Sequence, residues 1–187
     1  MWGRFDEGIA ELKRAQELDP LSLSIPAVIV WIHYFARRFD QAIEYYQRML
    51  GIDPEFLLGH WFLGQALVEL GRNEEGIAEL QKAADLSNRS SRLLAYLGYG
   101  LGRAGRNGEA NALLAELDDR SRQDFVPPYF LALIHCGLGQ EERALDCLER
   151  ACELPDTMIR DLKVDPPLEV IRSDPRYHEL LRRVRLT

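Results

Sequence analysis

Apolar and polar positions along this chain follow a helical period that short polar turns interrupt at even intervals. The turns are Gly3-Arg4-Phe5-Asp6-Glu7, Arg37-Arg38-Phe39-Asp40-Gln41, Gly71-Arg72-Asn73-Glu74-Glu75, Gly105-Arg106-Asn107-Gly108-Glu109 and Gly139-Gln140-Glu141-Glu142-Arg143, each starting 34 residues after the last. Beyond each turn stands a small residue, Gly8, Ala42, Gly76, Ala110 or Ala144, and one helical turn later a larger one, Leu12, Tyr46, Leu80, Leu114 or Leu148. That spacing is one helix face: the small residue lets a neighbouring helix approach and the larger one fills the space beside it. Upstream, Leu63-Gly64 and Leu97-Gly98, with Leu67 and Leu101 a turn on, mark the partner helix of each pair. The pattern predicts helices near 4–18, 22–36, 40–52, 56–70, 73–86, 90–104, 107–118, 124–138 and 141–153.

With these registers the chain resembles the tetratricopeptide-repeat family, whose pattern is a bulky, a Leu-Gly and an aromatic position in one helix, then small, aromatic and proline positions in the next. The resemblance implies an all-α solenoid of helix-turn-helix repeats wound as a right-handed superhelix. A half repeat at 1–22 precedes four repeats at about 23–56, 57–90, 91–124 and 125–154, and a helical cap follows over 155–187. Pro20 and Pro54 match the closing proline, which cannot continue the helix ladder, whereas Asn88, Arg122 and Asp156 stand in that place later. Ile29-Val30 and Leu131-Ala132 replace Leu-Gly. Arg37 stands where a left-handed glycine usually ends the first helix, at an expected strain of about 1 kcal/mol.

Both ends depart from the period. The first helix has no predicted partner, so a stripe of Ile9, Leu12 and Trp2 is expected to lack cover, and a homodimer through that helix is the expected remedy. After Leu154, four prolines at 155, 166, 167 and 175 divide the chain into short segments with helix starts at Asp156, Asp165 and Asp174. Leu162-Lys163-Val164-Asp165-Pro166-Pro167-Leu168, Ile171-Arg172-Ser173-Asp174-Pro175-Arg176-Tyr177 and Leu180-Leu181 resemble the closing segment of repeat arrays in bacterial multidomain signalling proteins. That resemblance implies a regulatory or sensory arm of a larger kinase, cyclase or transcription regulator as the alternative function.

Composition narrows the partners. The formal net charge of −7 argues against sequence-independent binding of nucleic acid, which needs a basic face. Arg182-Arg183-Val184-Arg185 is read as a solvated helix end beside Glu179, Asp174 and Glu169. The longest apolar run, Ile25 to Phe35, is interrupted by Pro26 and His33 and is too short to span a bilayer, so no membrane partner is expected. Met1 to Glu7 lack the basic start and apolar block of a secretory signal, which implies a cytoplasmic setting. Cys136, Cys147 and Cys152 form an odd set read as reduced thiols.

Candidate chemistry is sparse, and neither an enzyme nor a cofactor is expected. His33, His60, His135 and His178 sit in no catalytic motif, and His135 with the three cysteines lacks common zinc-ligand spacing, so no metal is expected. Gly98-Tyr99-Gly100-Leu101-Gly102 imitates the start of a dinucleotide loop, yet no strand precedes it and close helix packing accounts for Gly98. The carboxylates Glu74-Glu75 and Glu141-Glu142 open helices, where negative charge complements the dipole.

The family resemblance implies instead a concave face lined by the first helix of each pair. It carries Ala27, Trp61, Ala95 and Tyr129 as one row and Trp31, Gln65, Tyr99 and Leu133 as a second, with Tyr34, Phe35, Val68, Glu69, Gly102 and Arg103 a turn on and Arg92 near the opposite end. The groove candidates are therefore Trp31, Tyr34, Trp61, Gln65, Glu69, Arg92, Tyr99, Arg103 and Tyr129. Trp31 and Gln65 occupy places where relatives that grip a terminal carboxylate carry Asn. An apolar peptide, extended or helical, is thus the expected ligand of a protein–protein interaction scaffold, with a self-associating scaffold as the remaining alternative.

Overall fold

A computed structural model describes residues 5–19, 24–154 and 157–186, which are all-helical with no strand. The chain divides into two compact units, Met1–Ser87 and Asn88–Thr187. The first holds α1 (Phe5–Leu18), α2 (Ser24–Phe35), α3 (Phe39–Ile52), α4 (Leu57–Glu69) and α5 (Asn73–Leu86). The second holds α6 (Ser91–Arg103), α7 (Asn107–Ser121), α8 (Pro128–Gly137) and α9 (Glu141–Ala151), then 3-10 segments Thr157–Asp161 and Pro166–Ile171, and α10 (Pro175–Arg183). The division lies inside the expected repeat 57–90, where Asn88 and Arg89 both take positive φ in place of the family's proline.

Within each unit the helices pair as hairpins, α2 with α3 and α4 with α5 in the first, α6 with α7 and α8 with α9 in the second. Four hairpins turn by one device. The first left-handed residue, Arg37, Gly71, Gly105 or Gly139, has φ between 58° and 77° and donates its N–H back three residues. The next N–H reaches back five: Arg38 to His33, Arg72 to Leu67, Arg106 to Leu101 and Gln140 to His135, each at 2.9 Å. This pairing satisfies carbonyls that a helix end leaves open, and it explains why Arg37 accepts a conformation that glycine adopts without strain. Arg72 and Arg106 then fork onto Glu75 and Glu109 with bonds of 2.7–2.8 Å, whereas Arg38 reaches Asp6 on α1 instead.

The second-helix register is the buried one. Ala42, Tyr46, Leu80, Ala110, Ala144 and Leu148 are all inaccessible, and Gly76 lies against Gly64. In α7 the expected Leu114 is only half-buried, and Leu113 and Leu117 carry the packed face. Two expectations need correction. Helix α8 begins at residue 128 and not 124, because Pro127 and Pro128 hold the preceding residues extended. The stripe on α1 is not bare: Ile9 is 7% exposed and Leu12 half-buried, with α1 packed on α2. Trp2 lies outside the described residues.

The cap keeps the expected starts at Asp165 and Asp174; the start at Asp156 lies outside the described residues. Asp174 accepts the Arg176 N–H at 2.7 Å and opens an α-helix. At Asp165 the two following prolines admit only a short 3-10 turn, and its side chain makes no capping bond. Arg176 fastens α10 to α9 through Glu142, Asp146 and Glu149 at 2.6–3.0 Å, and Tyr177 donates its hydroxyl to the Leu162 carbonyl. Among the described residues, no helix is long and apolar enough to cross a membrane.

Candidate interaction faces

In the first unit, the candidate residues lie on α2 and α4. Trp31 is half-buried on α2 and meets Phe35 edge-on, with ring centroids 4.9 Å apart. Tyr34 lies beneath, against Phe35, Phe39 and Phe62 at 5.4–6.4 Å. Trp61 stacks on Phe62 at 4.4 Å, and Phe62 on Tyr46 at 5.9 Å. Tyr34, Trp61 and Gln65 are buried, whereas Glu69 at the end of α4 is half-buried. The rings thus form a continuous packed layer, and Trp31 and Phe35 are its solvent-facing edge. Val28, exposed on α2, continues that edge, since positions 28, 31 and 35 share one helix face.

In the second unit, Arg92 and Arg103 are exposed at the two ends of α6. Arg103 donates to the Tyr99 hydroxyl at 2.8 Å and sets its guanidinium 5.7 Å from that ring's centroid. Tyr99 and Tyr129 are themselves buried, as are Ala95 and Leu133. Tyr129, on α8, donates its hydroxyl to Asp165 of the cap at 2.7 Å. Trp31 and Glu69 in one unit and Arg92 and Arg103 in the other are therefore open to solvent, while the remaining five candidates are buried.

Three of the four histidines are built into the packing, whereas His178 on α10 is exposed. His60 places one ring nitrogen 2.5 Å from Glu79 and the other 2.9 Å from the Pro54 carbonyl, tying the α3–α4 connection to α5. His135 donates from Nδ1 to Gln140 at 2.8 Å. His33 stacks on Tyr45 at 5.8 Å. Burial, then the charges of Arg38 and Lys13, hold His33 below its ordinary value of 6.5, and burial likewise lowers His135. A lowered folded value means stability that is present above 6.5 and lost as pH falls through the folded values. The urea midpoint is therefore expected to fall from about pH 7 to pH 5, less steeply in His33→Gln, and equal slopes would refute the assignment.

The thiols are shielded. Cys136 is buried, burial pushes Cys147 up to about 11, and the half-buried Cys152 is raised for the same reason. Iodoacetamide should therefore modify Cys152 first in the native protein and the other two only after unfolding, which intact-mass measurement reads directly. Three fast alkylations under native conditions would contradict this. Among the described residues, no group of His, Cys, Asp and Glu converges as a metal site. A shallow depression of about 530 Å³ at the α8–α9 turn, lined by Gly139, Gln140, Glu141, Glu142 and Arg143, includes none of the candidate residues.

Comparison with known proteins places these features. A tetratricopeptide-repeat family model matches residues 33–97. The fold is similar to that of TTC0263, a thermophilic tetratricopeptide-repeat protein of Thermus thermophilus, with a TM-score of 0.66 at 20% identity over 96% of this chain and 92% of that one. It is also similar to MamA, with a TM-score of 0.58 at 19% identity over 81% and 88% of the two chains. YrrB, described as a tetratricopeptide-repeat protein with an unusual peptide-binding site, aligns with a TM-score of 0.54 at 14% identity over 92% and 89%. No curated protein sequence matches the chain.

Proposed function

We propose that this chain, a tetratricopeptide-repeat protein, is a non-catalytic interaction scaffold that holds an apolar polypeptide on the α2 edge formed by Val28, Trp31 and Phe35. The observation that carries this reading is Trp31: a large ring held edge-on by Phe35, backed by a packed aromatic layer, and left half-open to solvent. A rigid aromatic of this kind gives a partner much contact area at little entropic cost. Tyr34, Trp61 and Gln65 serve as the floor that fixes the edge, and Glu69 flanks it on α4. In the second unit Arg92, Tyr99, Arg103 and Tyr129 belong to a separate face with its own chemistry.

Trp31→Ala should leave the helical circular dichroism signal intact while recovery of the bound polypeptide falls at least about tenfold, the consequence of losing an anchor worth roughly 2 kcal/mol. Quantitative mass spectrometry of material captured by wild type and variant measures it. Equal recovery by both would remove the α2 edge as the site. Capture of this chain alone would replace the scaffold reading with self-association.

A further inference from the structure

Helix α1 is held to the first unit by little. Of its described side chains Ile9 alone is buried, whereas Asp6, Glu7, Glu11, Lys13, Arg14 and Glu17 are exposed. It docks on α2, where a Cβ on Gly8 would stand 3.6 Å from the Ile32 Cδ1, and Asp6 pairs with Arg38 of the α2–α3 turn at 2.5 Å. A segment with so few buried apolar contacts opens at lower cost than the helices behind it.

Beneath this docking lies a histidine. His33, on α2, is 6% exposed and stacked on Tyr45 of α3, and its Nδ1 has no hydrogen-bond partner among the described residues. The charges that bear on it are Arg38 from the turn, and Lys13 and Asp6 from α1. On α3, Arg48 is paired with Glu44 and lies 5.9 Å from the Tyr45 ring centroid. Helix α4 meets α2 through Phe62 against Tyr34, and its own histidine, His60, is committed to Glu79 and the Pro54 carbonyl.

A neutral imidazole suits this setting and an imidazolium does not. The cation has two N–H donors to satisfy, and here Nδ1 meets no acceptor. Arg38 and Lys13 repel it, and the carboxylate that would offset them, Asp6, is already bonded to Arg38. When α1 lifts away, His33 meets water and leaves the Lys13 charge behind, so proton uptake favours the lifted form. We propose that α1 is an acid-released flap: protonation of His33 undocks it from α2 and uncovers the Ile9–Ile32 seam, while α3, α4 and α5 stay packed. Docking is strongest above 6.5 and weakens as pH falls toward the lowered value that His33 has in the docked form. Asp6 does not drive the change, because its bond to Arg38 holds its carboxyl below the ordinary 3.8 and it stays charged while His33 responds. The flap works whether or not the α2 edge binds a partner.

Hydrogen exchange of the full chain at about pH 7.5 and about pH 5.5, corrected for the intrinsic pH dependence of amide exchange, tests this. Amides of residues 9–18 should lose protection at the lower pH while those of α4 and α5 keep theirs. His33→Gln should hold α1 equally protected at both values. Lys13→Gln, at an exposed position, should retain more α1 protection at the lower pH than wild type, and it decides the matter if His33→Gln does not fold. Unchanged α1 protection in wild type, an equal loss in α4 and α5, or a loss in folded His33→Gln or Lys13→Gln that matches wild type overturns the proposal.

Discussion

Gly137→Val is expected to lower the melting temperature by about 10 °C, the equivalent of roughly 3 kcal/mol or more. Gly137 ends α8 where that helix crosses α6, and a Cβ there would lie 2.8 Å from the Tyr99 Cα and closer still to the Tyr99 carbonyl oxygen. These are backbone atoms, which cannot rotate away as a side chain would. The contact is reciprocal, since a Cβ on Gly102 would fall 2.5 Å from the Gly137 carbonyl carbon. Any larger residue must therefore move one helix off the other along the main crossing of the unit. Gly108→Ala is the control, because nothing lies within 4 Å of its Cβ position in α7, and it should be neutral or slightly stabilising. Thermal circular dichroism of the pair gives the comparison, and similar melting of the two variants would disprove close backbone packing at Gly137.

The second large effect belongs to the first unit. Leu80→Ala should cost about 2–5 kcal/mol, because Leu80 is fully buried where α5 crosses α4 and its removal leaves a cavity that the helices cannot close. Its Cγ would lie 2.6 Å from a Cβ on Gly64. Adding Gly64→Ala cannot refill the space. The new methyl would still meet the Gly76 carbonyl oxygen at 2.8 Å and the Leu80 nitrogen at 3.0 Å, so the double variant should be less stable than Leu80→Ala. Denaturant titration of the three variants measures this, and a double variant restored toward wild type would show that the crossing is looser than described.

Features fixed by a few neighbouring residues were legible in the sequence. The left-handed geometry of Arg37 followed from its place in a turn whose other copies carry glycine, because the closing hydrogen bonds involve only six consecutive residues. The delayed start of α8 was written in Pro127 and Pro128, yet the repeat spacing pointed four residues earlier and the local proline preference prevailed. Features set by distant neighbours were not legible. Periodicity placed Tyr129 on a first helix but could not tell that Asp165, 36 residues later, would cover it. Asp165 itself reads as a helix cap before two prolines, and only the packed cap turns its side chain toward Tyr129. The same limit applies to Ile9, which is buried with α1 packed on α2 although the repeat pattern predicts no partner for the first helix.

The central claim is that a polypeptide ligand sits on the α2 edge. A photo-crosslinking amino acid placed at position 31 tests it most directly, with the same group at position 48 as reference, since Arg48 is exposed on α3 and lies outside every candidate face. Irradiation in the native setting should yield covalent polypeptide adducts from position 31 and none above background from position 48. The same adducts at both positions, or none at position 31, would contradict it.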